Sequence, residues 1–133
     1  MKMANDFEVG TQLEITLPPV SRLDLIKYAG ASGDFNPIHT IDEEAAKAGL
    51  PGIIAHGMWT MGNLSKLFTP YFEEGFLEDY SVAFKGMVFL NDEITLQSSL
   101  VSIQNDRYYF DVLAINQNEE TVVKGSATLK RYQ

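Results

Sequence analysis

The sequence predicts an α+β fold in which a long antiparallel sheet curls around one buried helix. Helical patterns are confined to the first 70 residues, whereas strand patterns fill the chain from residue 79 onward. The segment 57–69 is apolar on nearly every helical face, which is typical of a buried helix. A strand of about 10 residues spans roughly 33 Å, which is long enough to wrap around such a helix.

One strand and one helix precede a turn-rich segment. Residues 11–17 alternate polar and apolar side chains, which is typical of a half-buried strand, and two consecutive prolines end it. The segment 21–31 has apolar residues at helical spacing, and Ser21 with Asp24 forms a candidate capping box at its start. The turn residues of 32–37 are expected to end this helix.

Two further helices are predicted before the strand-rich half begins. The segment 42–48 starts with three acidic residues, of which Asp42 is expected to cap the helix, and Gly49 suits its end. The buried helix 57–69 is expected to end at Pro70, because the residue before a proline disfavours helical backbone angles.

The remaining chain predicts four strands that are rich in β-branched and aromatic residues. They are expected at 82–89, 93–103, 107–115 and 121–130. The short polar segments Asn105-Asp106 and 116–120 between them are expected to form hairpin connections. Alternation along 107–115 places four side chains on one face of that strand: Tyr108, Phe110, Val112 and Ala114.

Composition excludes several classes of protein. With 133 residues and neither repeat nor linker, we expect a single domain over 1–133. The absence of cysteine excludes a disulfide scaffold, a thiolate zinc site and a cysteine nucleophile. The net charge of −8 argues against nucleic-acid partners and against docking on an anionic membrane. Without a secretory signal or an apolar run of membrane length, we expect a cytoplasmic protein.

Candidate acid–base residues cluster in the turn-rich segment. Asp34 and His39 lie five residues apart across an Asn-Pro turn, so their side chains can converge on one pocket. Such a pair suits general acid–base work on water, because histidine exchanges a proton near neutral pH and aspartate can orient or polarise. The structural alternative is an aspartate that bonds its own backbone and a histidine that bonds a carbonyl.

The start of helix 57–69 is the second candidate, at His56-Gly57. Glycine at a helix start leaves N–H groups open to close approach, and such groups can stabilise a developing oxyanion. Alternatively, Gly57 only allows the helix to pack and His56 caps it. Asp34, His39 and His56 also match the residue types of a two-histidine, one-carboxylate iron site. Nothing in the spacing enforces that geometry, and we expect neither a metal nor another cofactor.

Two motifs resemble those of one enzyme family. The run from Tyr28 to His39 closely resembles the hydratase-2 motif of MaoC-like proteins, which are (R)-specific enoyl-CoA hydratases and related (3R)-hydroxyacyl-ACP dehydratases. The run 54–58 is similar to the second landmark of this family, and 82–84 occupies the place of its V-x-F motif. The resemblance implies a hot-dog fold, with the sheet wrapped around the helix, and a dimer with pockets at the subunit interface.

The resemblance also implies roles for individual residues. Asp34 and His39 become the catalytic dyad, and Gly57 supplies the backbone N–H to the thioester carbonyl. Asn36 and His56 become supports of the surrounding loops. The candidate residues of the substrate pocket are Met58, Met61, Ser65 and Phe68.

The implied reaction is the reversible syn hydration of a trans-2-enoyl thioester to the (3R)-3-hydroxyacyl thioester. Two alternatives stay open: a hot-dog acyl-CoA thioesterase, and a non-catalytic acyl-binding subunit of a heterodimeric dehydratase. The expected partners are an acyl thioester of CoA or acyl carrier protein and a second hot-dog subunit, identical or related. Neither a nucleic acid nor a membrane is expected. Candidates for a basic rim facing the phosphate of the carrier are Lys85, Lys124, Lys130 and Arg131.

Overall fold

A computed structural model describes residues 3–133 and places five strands in one antiparallel sheet, as the sequence predicts. The strand order is β1-β3-β4-β5-β2, so β1 and β2 form the two edges. The strands are β1 (Gln12–Thr16), β2 (Gly75–Phe84), β3 (Thr95–Gln104), β4 (Arg107–Ile115) and β5 (Thr121–Arg131).

Four short α-helices accompany the sheet. They are α1 (Met3–Asp6), α2 (Arg22–Ser32), α3 (Asp42–Lys47) and α4 (Gly57–Leu64). Helix α4 contacts β3 and β4, and its Leu64 is fully buried in the core against the sheet. This is the hot-dog arrangement of a sheet that wraps one central helix. Among residues 3–133, no helix combines the length and the apolar character needed to cross a membrane.

The hydrophobic core lies on the inner face of the sheet. The four alternate residues predicted on one face of β4 are all buried there, which confirms that face: Tyr108, Phe110, Val112 and Ala114. Phe7, which follows the unpredicted helix α1, adds its ring to the same core and contacts the rings of Tyr71 and Phe110. Such ring pairs prefer tilted and edge-on arrangements, as found here.

Helix α2 begins and ends as the sequence indicates. The Ser21 side chain accepts a hydrogen bond from the Asp24 N–H, and the Asp24 carboxylate accepts one from the Ser21 N–H, both at 3.1 Å. This reciprocal capping box fixes the start of the helix. At the other end Gly33 adopts a left-handed conformation with φ of 76°, which glycine tolerates without steric cost. The chain therefore turns sharply just before Asp34.

The predicted helix 57–69 is wrong in its length and in its burial. Helix α4 ends at Leu64, and two 3₁₀ turns follow, at Ser65–Leu67 and Thr69–Tyr71. In a continuing α-helix the Ser65 N–H would donate to the Met61 carbonyl. Here the Ser65 N–H donates to the Gly62 carbonyl, and the Met61 carbonyl accepts a hydrogen bond from the Tyr80 hydroxyl at 2.5 Å. In addition, only one side of α4 is buried in this chain, and Met58 is 56% exposed.

Two further boundaries differ from the prediction. The strand expected at 82–89 is β2, which begins at Gly75 and ends at Phe84. The N–H groups of Lys85 and Gly86 still donate to the Val122 carbonyl of β5, and Phe89 forms an isolated bridge with Ile54 outside the sheet. Asp42 does not cap α3, because its carboxylate binds the Arg22 guanidinium at 3.0 Å and Ile41 occupies the cap position.

Candidate active site

The loop after α2 presents the Asp34 carboxylate. The Asp34 N–H donates to the Ser32 hydroxyl, and the Asn36 N–H donates to Asp34 Oδ1, both at 3.1 Å. These bonds hold one carboxylate oxygen in the loop and leave Oδ2 directed towards His39. The side chain is 52% exposed, so the carboxylate is accessible from solvent.

His39 lies at the end of a 3₁₀ turn, Pro37–His39. Asn36 starts this turn, because its side-chain oxygen accepts a hydrogen bond from the Ile38 N–H at 3.3 Å. The imidazole Nδ1 lies 2.7 Å from the Ile54 carbonyl oxygen. A carbonyl only accepts hydrogen bonds, so Nδ1 carries the proton and Nε2 keeps its lone pair in the neutral ring.

The two candidate catalytic groups face each other across a short gap. His39 Nε2 and Asp34 Oδ2 are 4.0 Å apart. This distance exceeds a direct hydrogen bond and is short enough for one water to bridge the two atoms. The His39 side chain is only 10% exposed. The lone pair of the buried His39 Nε2 and the exposed Asp34 carboxylate therefore face the same small space.

His56 contacts both the loop of Asp34 and the ring of His39. Its Nε2 lies 3.0 Å from the Asp34 carbonyl oxygen, so Nε2–H is the donor. Its ring stacks on His39 with centroids 3.8 Å apart and meets the Tyr28 ring edge-on at 4.9 Å. His56 is 2% exposed, and its Nδ1 has no hydrogen-bond partner in the part of the chain that the structure describes. The ring therefore lies between the Asp34 loop and the start of α4.

Gly57 is the first residue of α4 and directly follows His56. N–H groups in the first turn of a helix have no partner within the helix, and they lie at the positive end of its dipole. A Cβ at this position would lie 3.0–3.2 Å from three ring atoms of Phe84. Glycine is therefore the residue that lets the Phe84 ring lie directly over this helix start.

The proposed pocket residues fall into two groups. Met58, Met61 and Ser65 follow one another along one side of α4 and beyond its end, and all three are at least partly exposed. Phe68 differs, because it is 0% exposed and packs edge-on against Phe110 at 5.0 Å. The structure therefore places Phe68 in the core of the chain and not beside an open groove.

A groove lies beyond the end of α4, beside the first half of β2. Its volume is about 430 Å³, and Ser65 forms one wall while Phe76, Leu77 and Tyr80 of β2 form the opposite wall. Burial raises the pKa of Tyr80 to about 12. Sequence reasoning missed Tyr80 and Phe84 as neighbours of α4, although alternation along β2 places both on one face.

Metal binding fits the three central residues poorly. Asp34, His39 and His56 offer candidate ligand atoms within 4.8 Å of one another. However, the two imidazole planes are only 21° apart and stacked, so their in-plane lone pairs run side by side and do not converge on one ion. One nitrogen of each ring also faces a backbone carbonyl. This geometry suits proton transfer better than metal coordination.

The four basic residues proposed as a rim lie at two separate ends of the sheet. Lys85 directly follows Phe84, which lies over Gly57, whereas Lys124 pairs with Ala83 and so lies on the face of the sheet opposite Phe84. Lys130 lies six residues further along β5, which corresponds to about 20 Å of strand. Lys85 is therefore the one of these four candidates that adjoins the residue over Gly57.

Comparison with known proteins identifies the family. The sequence profile of the MaoC like domain matches residues 4–123. The chain belongs to the MaoC-like family. It is 34% identical over 114 residues to the fatty acid synthase subunit beta of Aspergillus oryzae, covering 82% of this chain but 6% of that protein.

Two further relatives are closer to this MaoC-like domain in size. The mitochondrial 3-hydroxyacyl-[acyl-carrier-protein] dehydratase of Arabidopsis thaliana is 28% identical over 110 residues, which cover 79% of this chain and 66% of that protein. The unliganded R-hydratase PhaJ1 of Pseudomonas aeruginosa is 25% identical, with a TM-score of 0.87 over 97% of this chain and 84% of that structure. The MaoC-like domain thus resembles both a hydratase and a dehydratase.

Proposed function

We propose that this MaoC-like domain catalyses the reversible syn hydration of a trans-2-enoyl thioester to the (3R)-3-hydroxyacyl thioester. The observation that carries the proposal is the 4.0 Å gap between Asp34 Oδ2 and His39 Nε2, beside the open start of α4. The names of the hydratase and dehydratase relatives support the same chemistry.

The gap positions one water for addition across the double bond. In the hydration direction the water oxygen bonds to C3 of the enoyl group while the dyad removes one water proton. The dyad then delivers a proton to C2 on the same face, so it returns to its starting protonation state. Because His39 Nδ1–H is held by the Ile54 carbonyl, Nε2 is the basic nitrogen that faces this water. Asp34 and His39 titrate as a coupled pair, so the two proton transfers are assigned to the dyad and not to one residue each.

The start of α4 supplies the electrostatic part of the mechanism. Negative charge builds up on the thioester oxygen as C3 is attacked. In this proposal the Gly57 N–H donates to that oxygen, and the helix dipole adds to the stabilisation. The Phe84 ring lies over the Cα of Gly57, and Gly57 itself is exposed, so the donor is open to a substrate. Loss of one such donor typically costs about 10²–10³ in turnover.

The groove beyond the end of α4 suits the acyl tail. Gly57 and Ser65 are eight residues apart, which corresponds to about 12 Å along a helix. Within that distance β2 runs beside α4, with Phe84 at Gly57 and Tyr80 at Met61. A tail that starts at Gly57 and follows this side of α4 would reach the groove of about 430 Å³. We therefore propose a medium-length acyl chain as substrate.

The same groove supports a second hot-dog subunit as partner. Strand β2 is an edge of the sheet, and two of its large apolar side chains are exposed, Phe76 at 40% and Phe84 at 52%. Cover by an identical or related subunit would remove both from water and close the groove. For the carrier, Lys85, which follows the Phe84 that lies over Gly57, suits a phosphate of CoA or of an acyl carrier protein.

The direct test is hydration of enoyl thioesters by the purified chain, followed as loss of enoyl absorbance. Substrates of graded chain length are offered on CoA and on acyl carrier protein, and thiol release is measured in parallel. We expect hydration by the wild type, and a fall of about 10²–10⁴ in turnover for Asp34→Asn and for His39→Gln. Asp111→Asn is the matched control, since Asp111 is exposed on β4 far from the dyad in sequence and pairs with Ser99 and Ser126.

Three results would contradict the proposal. Near-normal turnover of a folded Asp34→Asn or His39→Gln variant would exclude the dyad. Thiol release without hydration would identify a thioesterase. Hydration that appears only after a second chain is added, and that survives both substitutions, would identify a non-catalytic subunit.

A further inference from the structure

Asp92 is a buried acid outside the candidate site. It is 8% exposed, and it is the only acidic side chain among the buried residues that the structure describes. A buried carboxylate is costly unless hydrogen bonds compensate for lost water. Its Oδ2 accepts from the Phe89 N–H at 2.8 Å, and its Oδ1 accepts from the Gln117 side-chain amide at 2.9 Å. Both partners are neutral donors.

These bonds fix the segment that follows β2. The Asp92 carboxylate closes a tight turn back to Phe89, in which Asn91 has a φ of 69°. The turn is attached to Val20, two residues before α2, by two backbone bonds: Asn91 N–H to the Val20 carbonyl at 2.8 Å and Val20 N–H to the Asp92 carbonyl at 3.0 Å. Asp92 therefore joins the turn to the chain that leads into α2.

The other side of the same turn reaches His39. The Ala55 N–H donates to the Val88 carbonyl at 2.8 Å, and Ile54 forms an isolated antiparallel bridge with Phe89. The Ile54 carbonyl, in turn, accepts from His39 Nδ1 at 2.7 Å. One continuous path of backbone contacts thus runs from the Asp92 carboxylate to the imidazole.

We infer that Asp92 is a positioning residue for the hydration reaction: it holds the Phe89 backbone against Ile54, and the Ile54 carbonyl holds His39 as the Nδ1–H tautomer. The inference rests on the proposed function. If the turn loosens, the Ile54 carbonyl shifts and the basic Nε2 loses its fixed direction towards Asp34. A displacement of about 1 Å in such a site can lower turnover 100-fold. The groove that would hold the acyl tail has no residue of this turn in its lining, so we expect KM to change much less than kcat.

Gln117 offers a way to test the bonds without removing them. Its side-chain oxygen accepts from the Glu93 N–H at 3.1 Å while its amide donates to Asp92. In Asp92→Asn, the new side-chain amide faces the Gln117 amide. If its oxygen keeps the bond from the Phe89 N–H, its NH₂ group faces the NH₂ group of Gln117, and two donors are opposed. In the double variant Asp92→Asn/Gln117→Glu, the carboxylate and the amide exchange places. All three bonds, to Phe89, Glu93 and between the two side chains, can then form again.

The experiment measures kcat and KM for hydration, together with the ¹⁵N shifts of the histidine rings, which report the tautomer. The His39 signals are assigned by their loss in His39→Gln. We expect Asp92→Ala to lower kcat about 10- to 100-fold at nearly constant KM and to mix the His39 tautomers. Asp92→Asn lowers kcat less than Asp92→Ala does, and the double variant restores most of the wild-type kcat. The control Asp111→Asn changes neither kcat nor the ¹⁵N shifts of His39.

Wild-type kcat and wild-type ¹⁵N shifts in folded Asp92→Ala would overturn the inference, even if its stability were lower. If Asp92→Ala does not fold, the comparison of Asp92→Asn with the double variant decides, and equal kcat in the two would overturn it. If the wild type hydrates no enoyl thioester, the proposed function fails. The ¹⁵N shifts of the same variants still show whether Asp92 sets the His39 tautomer.

Discussion

His56 gives the most direct measure of how the Asp34 loop is held. Replacing His56 by leucine removes the hydrogen bond to the Asp34 carbonyl and the ring contacts with His39 and Tyr28. A net hydrogen bond contributes about 0.5–1.5 kcal/mol, and an aromatic pair adds about 0.5–1.5 kcal/mol beyond its buried area. Leucine keeps part of the apolar contact. We therefore expect His56→Leu to lower the free energy of unfolding by about 2 kcal/mol.

Turnover is expected to fall further than stability alone explains. Without the bond to its carbonyl, the Asp34 loop can move relative to His39, and a shift of about 1 Å can cost 100-fold, or about 2.7 kcal/mol of barrier. His56→Gln retains an amide donor that can reach the Asp34 carbonyl, so we expect a smaller loss, about 10-fold. Urea unfolding and enoyl-thioester hydration measure the two effects. Wild-type turnover in a folded His56→Leu variant would refute this account of the site.

Two further predictions concern the contacts between α4 and β2. In Gly57→Ala the new Cβ meets the Phe84 ring at 3.0–3.2 Å, so kcat/KM falls, and Gly57→Ala/Phe84→Leu recovers part of it; equal kinetics in the single and double variants would contradict this. Burial raises the pKa of Tyr80 from 10.0 to about 12, so the neutral phenol stabilises the folded chain fully below pH 10, and this contribution is lost as the pH rises towards 12. Urea midpoints of Tyr80→Phe should therefore decline less steeply over this range than those of the wild type, and parallel declines would contradict the assignment.

The parts of the fold that the sequence predicted depend on local patterns. The bounds of β4 agree with the prediction at 107–115, because alternation and two short turns define this strand without distant partners. The capping box of α2 agrees for the same reason, since Ser21 and Asp24 satisfy each other. The convergence of Asp34 and His39 also follows from a turn of only five residues.

The parts that failed depend on contacts between distant residues. Helix α4 ends early, where the Tyr80 hydroxyl donates a hydrogen bond to the Met61 carbonyl; Tyr80 is 19 residues away in the chain. Asp42 does not cap α3, because its carboxylate binds Arg22, which is 20 residues away in the chain. Neither partner can be identified from helical periodicity. The stacking of His56 on His39 likewise required the fold, because the two histidines lie on separate loops.

The edge strand β2 has two unequal halves. Near its start the pairing with β5 is interrupted between Leu77 and Asp79, and two adjacent acidic residues, Glu78 and Asp79, are exposed. Bulges and charges of this kind deter other chains from adding a strand. From Tyr80 to Phe84 the pairing is regular and the side chains are uncharged. If the chain is produced without a subunit to cover it, unwanted sheet growth and aggregation would therefore begin in these five residues, immediately beside Gly57.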